Sequence, residues 1–274
     1  MRAIHESRSY AGNLPAVVIE SKNMTFYAHW HEDVELLCVC EGSLRVGINN
    51  ESRTLRRGDV AVCASGDIHF YDGTGTESIL RLIIFRPEII DSAGGWPQKF
   101  EFGSPFLQGL SLSDLFCRFN AAFDTIRQET HKSDAVSLMM IRGSLLNLCA
   151  MLARTVLVRP ASPTKASGRN HRLKGMQDAL GYIERNYAED IRLKDAAAVA
   201  NMSVFHFSRL FGSIAGAGFR SYLNYIRVME AENMLRNSED SITEIAYRCG
   251  FNSIRTFNRL FRALRGMPPS GMRR

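Results

Sequence analysis

The chain has 274 residues, 45% of them hydrophobic, and a formal net charge of +6. That length and apolar content suffice for about two domains with cores of their own. Apolar runs such as SILRLIIF (78–85) fall short of the roughly 18 residues of a spanning helix, and the N-terminus lacks the marks of a secretory signal, so neither a membrane partner nor export is expected.

The charge is unevenly placed. Residues up to Lys165 carry 17 Lys+Arg against 18 Asp+Glu, net −1, and the remainder carries 17 against 10, net +7. A Pro/Ser/Gly/Lys stretch, RPASPTKASGRNH, lies between the two parts and reads as a linker. After Glu244 there are seven arginines (248, 255, 259, 262, 265, 273 and 274) and no acid, the electrostatic footprint of a polyanion partner or, more simply, a solvated basic face. The six cysteines lack framework spacing and read as reduced, buried thiols of a cytoplasmic protein. Cys38 and Cys40, neighbours on one strand, are badly placed to bridge.

Residues 10–90 read as a compact antiparallel sheet folded over on itself, a barrel or sandwich. Within it, residues 29–42 are HWHEDVELLCVCEG. Side chains alternate along an extended segment, so His29 and His31 share a side. Glu35 has the parity to join them if a turn at Glu32–Asp33 does not reset the count. SLRVGIN (43–49) alternates apolar and polar, with Leu44, Val46 and Ile48 on one side and NNES following as a turn, which is a hairpin signal. GDVAVCA (58–64) and SILRLIIF add strands, and His69 stands eleven residues after Gly58. Three imidazoles (His29, His31, His69) and one carboxylate (Glu35) suit Zn, Mn, Fe or Ni. The same groups also suit a small polar effector, or simply one another as hydrogen-bond partners.

Leu115, Phe119, Ala122 and Ile126 then step by four, three and four, and a second apolar helix follows from about Asp134 to Leu157, so a helical hairpin is expected. Leu138, Met139, Met140, Ile141, Leu145, Leu146, Leu148, Met151 and Leu152 cover more of that helix than one neighbour can bury. Either the helix is sandwiched within its own domain or it forms a subunit interface; a homodimer is the expectation.

The C-terminal part repeats itself. SVFHFSRLFGSIAG from Ser203 and SIRTFNRLFRALRG from Ser253 share six residues at one offset of fifty: Ser203/Ser253, Phe207/Phe257, Arg209/Arg259, Leu210/Leu260, Phe211/Phe261 and Gly216/Gly266. A structural unit is used twice. Each copy follows a short helix with an inward-facing small residue, Ala197 or Ala246, then a tight turn and an N-capping serine, which is a helix-turn-helix. Ser241 and Glu244 form a capping box for the preceding helix. With Phe207, Leu210 and Phe211 (or Phe257, Leu260 and Phe261) facing the core, the other face carries Phe205, His206, Ser208 and Arg209 in one copy. In the second it carries Ile254, Arg255, Asn258 and Arg259. Arginine, asparagine and apolar groups of this kind suit base edges and phosphates in a DNA major groove.

Residues 175–271 resemble the AraC/XylS family of bacterial transcription regulators. EIAYRCGFNSIRTFNRLFRALRGMPPS is similar to the family's second helix-turn-helix and C-terminal block, and SYLNYIRVMEAENML to its connecting helix. Met272 and Gly218-Phe219 depart from the family pattern, away from the reading face. The resemblance implies two recognition helices entering successive major grooves about 34 Å apart, with Phe205, Ser208, Arg209, Arg255, Asn258 and Arg259 as reading positions. The His/Glu motif and GDVAVCASGDIH resemble the paired motifs of the cupin barrel, departing at Ala64 and Gly73. The expected fold is α+β: a cupin-like effector-sensing and dimerisation domain over 1–158 with a helical hairpin, a linker over 159–172, and an all-α domain over 173–274 with two helix-turn-helix units. The expected function is a non-enzymatic regulator in the bacterial cytoplasm. It would bind double-stranded DNA and a small-molecule effector such as a sugar, and RNA polymerase if it activates. The alternatives are a metal-sensing regulator and a metal-dependent cupin enzyme with an accessory DNA-binding module.

Overall fold

The computed structural model describes residues 14, 16–90, 96, 100–102, 104–109, 113–132, 134–155, 158–160 and 163–273. They divide into one compact unit up to residue 173 and a second from 174 to 273.

The first unit is an antiparallel sheet built around one long strand. Its strands are β1 (Ala16–Lys22), β2 (Phe26–His29), β3 (Val34–Ile48), β4 (Glu51–Arg56), β5 (Val60–Cys63), β6 (His69–Asp72), β7 (Ser78–Phe85) and, farther on, β9 (Phe106–Leu107). The first half of β3 pairs with β7 and β5, whereas its second half pairs with β4 and β6. A register shift between Val39 and Glu41 marks the change, followed by Gly42 at φ +70°, where a Cβ would fall 1.8 Å from the Glu77 carbonyl oxygen. A bulge and a glycine thus turn one strand into a corner shared by two sheets. The β3–β4 hairpin runs from Ser43↔Arg56 to Ile48↔Glu51 and turns on Asn49 at φ 54°, as the alternation and the asparagines predict.

Both faces of β3 are buried over residues 34–39, which is why VELLCVC reads as an apolar run rather than an alternation. Leu37, Val39, Leu44, Val46 and Ile48 line the interior with Ala61, Tyr71, Leu82 and Ile84. Leu36 and Cys38 face the other way, into a core shared with helices α1 (Ser113–Thr130) and α2 (Ala135–Thr155). Leu115, Phe119, Ala122 and Ile126 are buried there with Ile141, Leu145, Leu148 and Leu152. A short ribbon pairs β8 (Phe100–Phe102) with β10 (Val158–Pro160). All six cysteines are free; Cys40 is half-buried and Cys117 exposed, so those two depart from the expected burial.

By length and composition α2 is apolar enough to cross a membrane, contrary to the reading from unbroken apolar runs, which missed it because Arg142 interrupts the sequence. One stripe of α2 packs on α1 within the core that the helices share with the sheet, while Val136, Leu138, Met139, Met140 and Leu146 are exposed.

The second unit is helical. It comprises the described end of α3 (Pro163–Asn186), α4 (Leu193–Val199), α5 (Val204–Ala215), α6 (Phe219–Asn237), α7 (Ile242–Arg248) and α8 (Ile254–Arg265). The stretch read as a linker is helical from Pro163 onward. Proline fits there because the first helical turn has no use for its missing N–H.

The two helix-turn-helix units, α4–α5 and α7–α8, share α6. Tyr222 packs edge-on against Phe211 of α5 with ring centres 5.4 Å apart, and Phe219 lies 6.0 Å from the same ring. Farther along α6, Val228, Ala231 and Leu235 join Ile245, Ala246, Phe257 and Phe261 in one cluster. One helix therefore fixes both units. Phe207, Phe211, Phe257 and Phe261 are fully buried, and truncating any of them to alanine costs about 3–5 kcal/mol by the usual rule for cores.

Candidate functional site

Strand pairing gathers the four polar residues of the first unit. His29, last residue of β2, lies opposite His69, first residue of β6, with ring centres 4.1 Å apart. The bend at Glu32–Asp33 preserves the parity that Glu35 needs, and Glu35 faces the interior between them. His29, His31, Glu35 and His69 are all buried, and one ligand atom from each lies within 4.8 Å of the others.

Each imidazole is held the same way. Nδ1 of His29 donates to the Tyr27 carbonyl (3.0 Å), Nδ1 of His31 to that of Asp33 (2.9 Å), and Nδ1 of His69 to that of Asp67 (2.9 Å). A carbonyl oxygen only accepts, so Nδ1 carries the proton in each ring, and the neutral ring keeps a lone pair on Nε2. Nε2 of His31 lies 3.1 Å from Oε2 of Glu35, and Nε2 of His69 lies 3.8 Å from the same oxygen with no hydrogen-bond partner. On the other side the Tyr71 hydroxyl donates to Oε1 of Glu35.

The electrostatics follow from burial. Burial holds His29 well below its usual imidazole value, the nearby His69 adds to this, and Glu35 opposes it. His29 is therefore neutral at neutral pH. Burial alone would raise Glu35, but the imidazoles of His31 and His69 facing Oε2, each able to carry a second proton there, outweigh it and hold the carboxyl well below its ordinary value. Burial, then the charge of Glu35, pushes the Tyr71 phenol up, so it keeps the proton it donates.

Imidazole lone pairs converging on a carboxylate repel one another unless a cation lies among them. A proton on His31 satisfies one ring and leaves the Nε2 of His69 unpaired. A divalent transition metal satisfies all of them, and backbone carbonyls behind each Nδ1 are the usual support of metal-binding histidines. The donor set of three nitrogens and a carboxylate therefore fits such an ion. Tyr71 was not singled out by the sequence, although it stands two residues after His69 on the same strand.

In the second unit, both turns place a recognition helix with its outer face open. Phe205 is 80% exposed, Ser208 and Arg209 are exposed, and His206 is half-buried. On α8, Arg255, Asn258 and Arg259 are exposed, whereas Ile254 packs partly against the core and belongs less to that face. Arg262, one turn farther along the same face, is exposed as well and was not among the expected reading positions. Other arginines of the basic run serve the fold: Arg248 and Arg273 are bound at Asp240, and Arg265 at Glu232. Ser203 caps α5 by accepting from the His206 N–H (3.3 Å), but Ser253 makes no such bond because its backbone is more extended, at φ −156°.

A helix-turn-helix domain model matches residues 196–274 and a cupin domain model matches residues 16–85. Similar curated proteins include the HTH-type transcriptional activator RhaS of Klebsiella pneumoniae (strain 342), 23% identical over 96% of this chain and 93% of that protein. RhaS of Citrobacter koseri is 24% identical over the same shares. Among solved structures, an apo variant of ToxT from Vibrio cholerae is 13% identical with a TM-score of 0.48, covering 95% of this chain and 97% of that one. The DNA-binding domain of AdpA in complex with a target DNA is 31% identical with a TM-score of 0.34, covering 35% of this chain and 87% of that one. The matches to regulators run through both units: a cupin domain stands ahead of a helix-turn-helix domain, and along nearly its whole length the chain is similar to DNA-binding transcriptional regulators of the AraC type.

Proposed function

We propose that this regulator is controlled from its N-terminal barrel, where His29, His31, Glu35 and His69 hold a divalent transition metal and, with it, a small polar effector. The convergence of imidazole lone pairs on Oε2 of Glu35 carries this reading. The chain's own residues bind the ion through nitrogen and one carboxylate, orient each ring through a backbone carbonyl, and exclude water by burial. Bound there, the metal would supply a Lewis-acid centre able to accept oxygen or nitrogen donors of an effector.

The DNA-facing residues of the proposal are Phe205, His206, Ser208 and Arg209 on α5 and Arg255, Asn258, Arg259 and Arg262 on α8, with Ile254 beside them. Occupancy of the barrel changes DNA binding only through a difference in affinity between two arrangements of the protein. The exposed face of α2 supports a homodimer. The relatives are named activators; carried to this chain, that role adds RNA polymerase as a partner and the bacterial cytoplasm as the location.

The test is elemental analysis of the full-length protein beside a His29→Ala/His69→Ala double variant, together with DNA binding before and after chelation. Near-stoichiometric metal that the variant lacks, with DNA affinity that changes on chelation, is the expected result. No metal in either protein sinks the metal reading and leaves the cluster as an effector pocket. Metal whose removal leaves DNA binding untouched sinks control by the ion.

A further inference from the structure

Tyr71 is a polar side chain beyond the four candidate ligands that is placed against Glu35 and has no part in the proposed ligand set. Its hydroxyl donates to Oε1 of Glu35, while the imidazole edges of His31 and His69 lie at Oε2, at 3.1 and 3.8 Å. The two oxygens of one carboxylate therefore have different neighbours. Tyr71 and Glu35 are each 1% exposed, so water does not compete for either oxygen. Tyr71 also shares a strand face with His69, two residues away on β6, and its ring packs 5.7 Å from the His69 ring.

We propose that Tyr71 is a positioning residue for the metal site: by occupying Oε1 it makes Glu35 a one-oxygen ligand that presents Oε2 alone to the ion. The inference rests on the metal reading above. A carboxylate free at both oxygens can swing to bind an ion with both; one tethered at Oε1 keeps a lone pair there but is held in the orientation that turns Oε2 toward the imidazoles. The protein's contribution is thereby fixed at three nitrogens and one oxygen, and the orientation of the carboxylate is set before any ion arrives.

The experiment titrates Co(II) into the metal-free full-length protein and reads its visible absorption, with Zn(II) competition for affinity. It compares wild type, Tyr71→Phe, Glu35→Ala and the Glu35→Ala/Tyr71→Phe double variant. Tyr71→Phe keeps the ring and its packing, and melting of the metal-free proteins shows that each variant folds. The expected result is one equivalent of Co(II) in wild type, an affinity about 10–100-fold lower in Tyr71→Phe, and an altered cobalt spectrum as Glu35 changes its binding mode. In the Glu35→Ala background Tyr71→Phe then costs nothing further. An unchanged affinity and spectrum in Tyr71→Phe overturns the assignment, as does an equal loss in the Glu35→Ala background, which would mean that the hydroxyl acts through something other than the carboxylate. A wild type that takes up neither Co(II) nor Zn(II) overturns the metal reading itself.

Discussion

Asn201 and Gly250 occupy the same place in the two helix-turn-helix turns, one residue past the C-cap, and both have a left-handed backbone, at φ 53° and 81°. The hydrogen bonds around them match: Asn201 N–H donates to Ala198 O and Met202 N–H to Ala197 O, while Gly250 N–H donates to Tyr247 O and Phe251 N–H to Ala246 O. Both helices thus end in a Schellman motif, in which asparagine or glycine takes the left-handed position. The surroundings differ, because a Cβ on Gly250 would sit 2.5 Å from the carbonyl oxygen of Ala188. Asn201→Gly should change stability by only a few tenths of a kcal/mol, whereas Gly250→Ala should cost about 1–3 kcal/mol from the backbone alone and more from the collision. Thermal or urea unfolding of both variants decides this, and an equal cost at the two sites would contradict it.

Arg255, Arg259 and Arg262 follow one another along the outer face of α8 with no ion pair among the described residues, while Arg265 is held by Glu232. Arg259→Ala and Arg262→Ala should each weaken DNA binding, lowering the salt slope by about 0.9 per lost phosphate contact. If Arg259 meets a guanine instead, its loss should relax preference at one base pair by about 1–3 kcal/mol. Arg265→Ala should leave the slope alone. Affinity unaffected by either of the first two would remove α8 from the DNA interface.

The contrast among these arginines shows where sequence reading reaches and where it stops. The repeated phenylalanines, Ala197 and Ala246 were legible because helical periodicity sorts inside from outside without any tertiary knowledge, and the burial follows that sorting. His29, His31 and Glu35 were legible together through strand parity and residue type, and His69 joined them through the resemblance to the paired cupin motifs. Tyr71 was not, because only the pairing of β6 with both β2 and β3 brings its hydroxyl to Glu35. Nor could a run of arginines reveal that Asp240 and Glu232, on or just beyond α6, bind three of them. Ser253 has the composition of a cap but not the backbone angles, and Ile254 has the position of an outer residue but leans on the core.

The capping box before α7 gives a pH prediction. Ser241 N–H donates to the Glu244 carboxylate (2.8 Å) and Glu244 N–H to the Ser241 hydroxyl (3.2 Å). Hydrogen bonding from Ser241 holds Glu244 below its usual carboxylate value. A depressed folded-state pKa means a contribution fully present above the unfolded value, about 4.3, and lost as pH falls through the folded one. Glu244→Gln should therefore lower the melting temperature by a constant amount above about pH 5, and the gap should narrow in more acidic solution. A gap independent of pH would show that the charge of Glu244 contributes nothing.

Five large apolar side chains of α2 face outward: Val136 at 64%, Leu138 at 39%, Met139 at 73%, Met140 at 49% and Leu146 at 42% exposure. Leaving them in water forgoes about 25 cal/mol per Å² of apolar area that a second copy can cover. Val136, Met139, Met140 and Leu146 are not part of the described core, so a charge among them should cost the monomer little. Met139→Glu combined with Leu146→Glu should convert a dimer to a monomer in sedimentation equilibrium while leaving the melting temperature of the monomer within a few degrees. Wild type that sediments as a monomer at micromolar concentration, with or without added Zn(II), would sink the dimer and leave the exposed stripe without an intersubunit role.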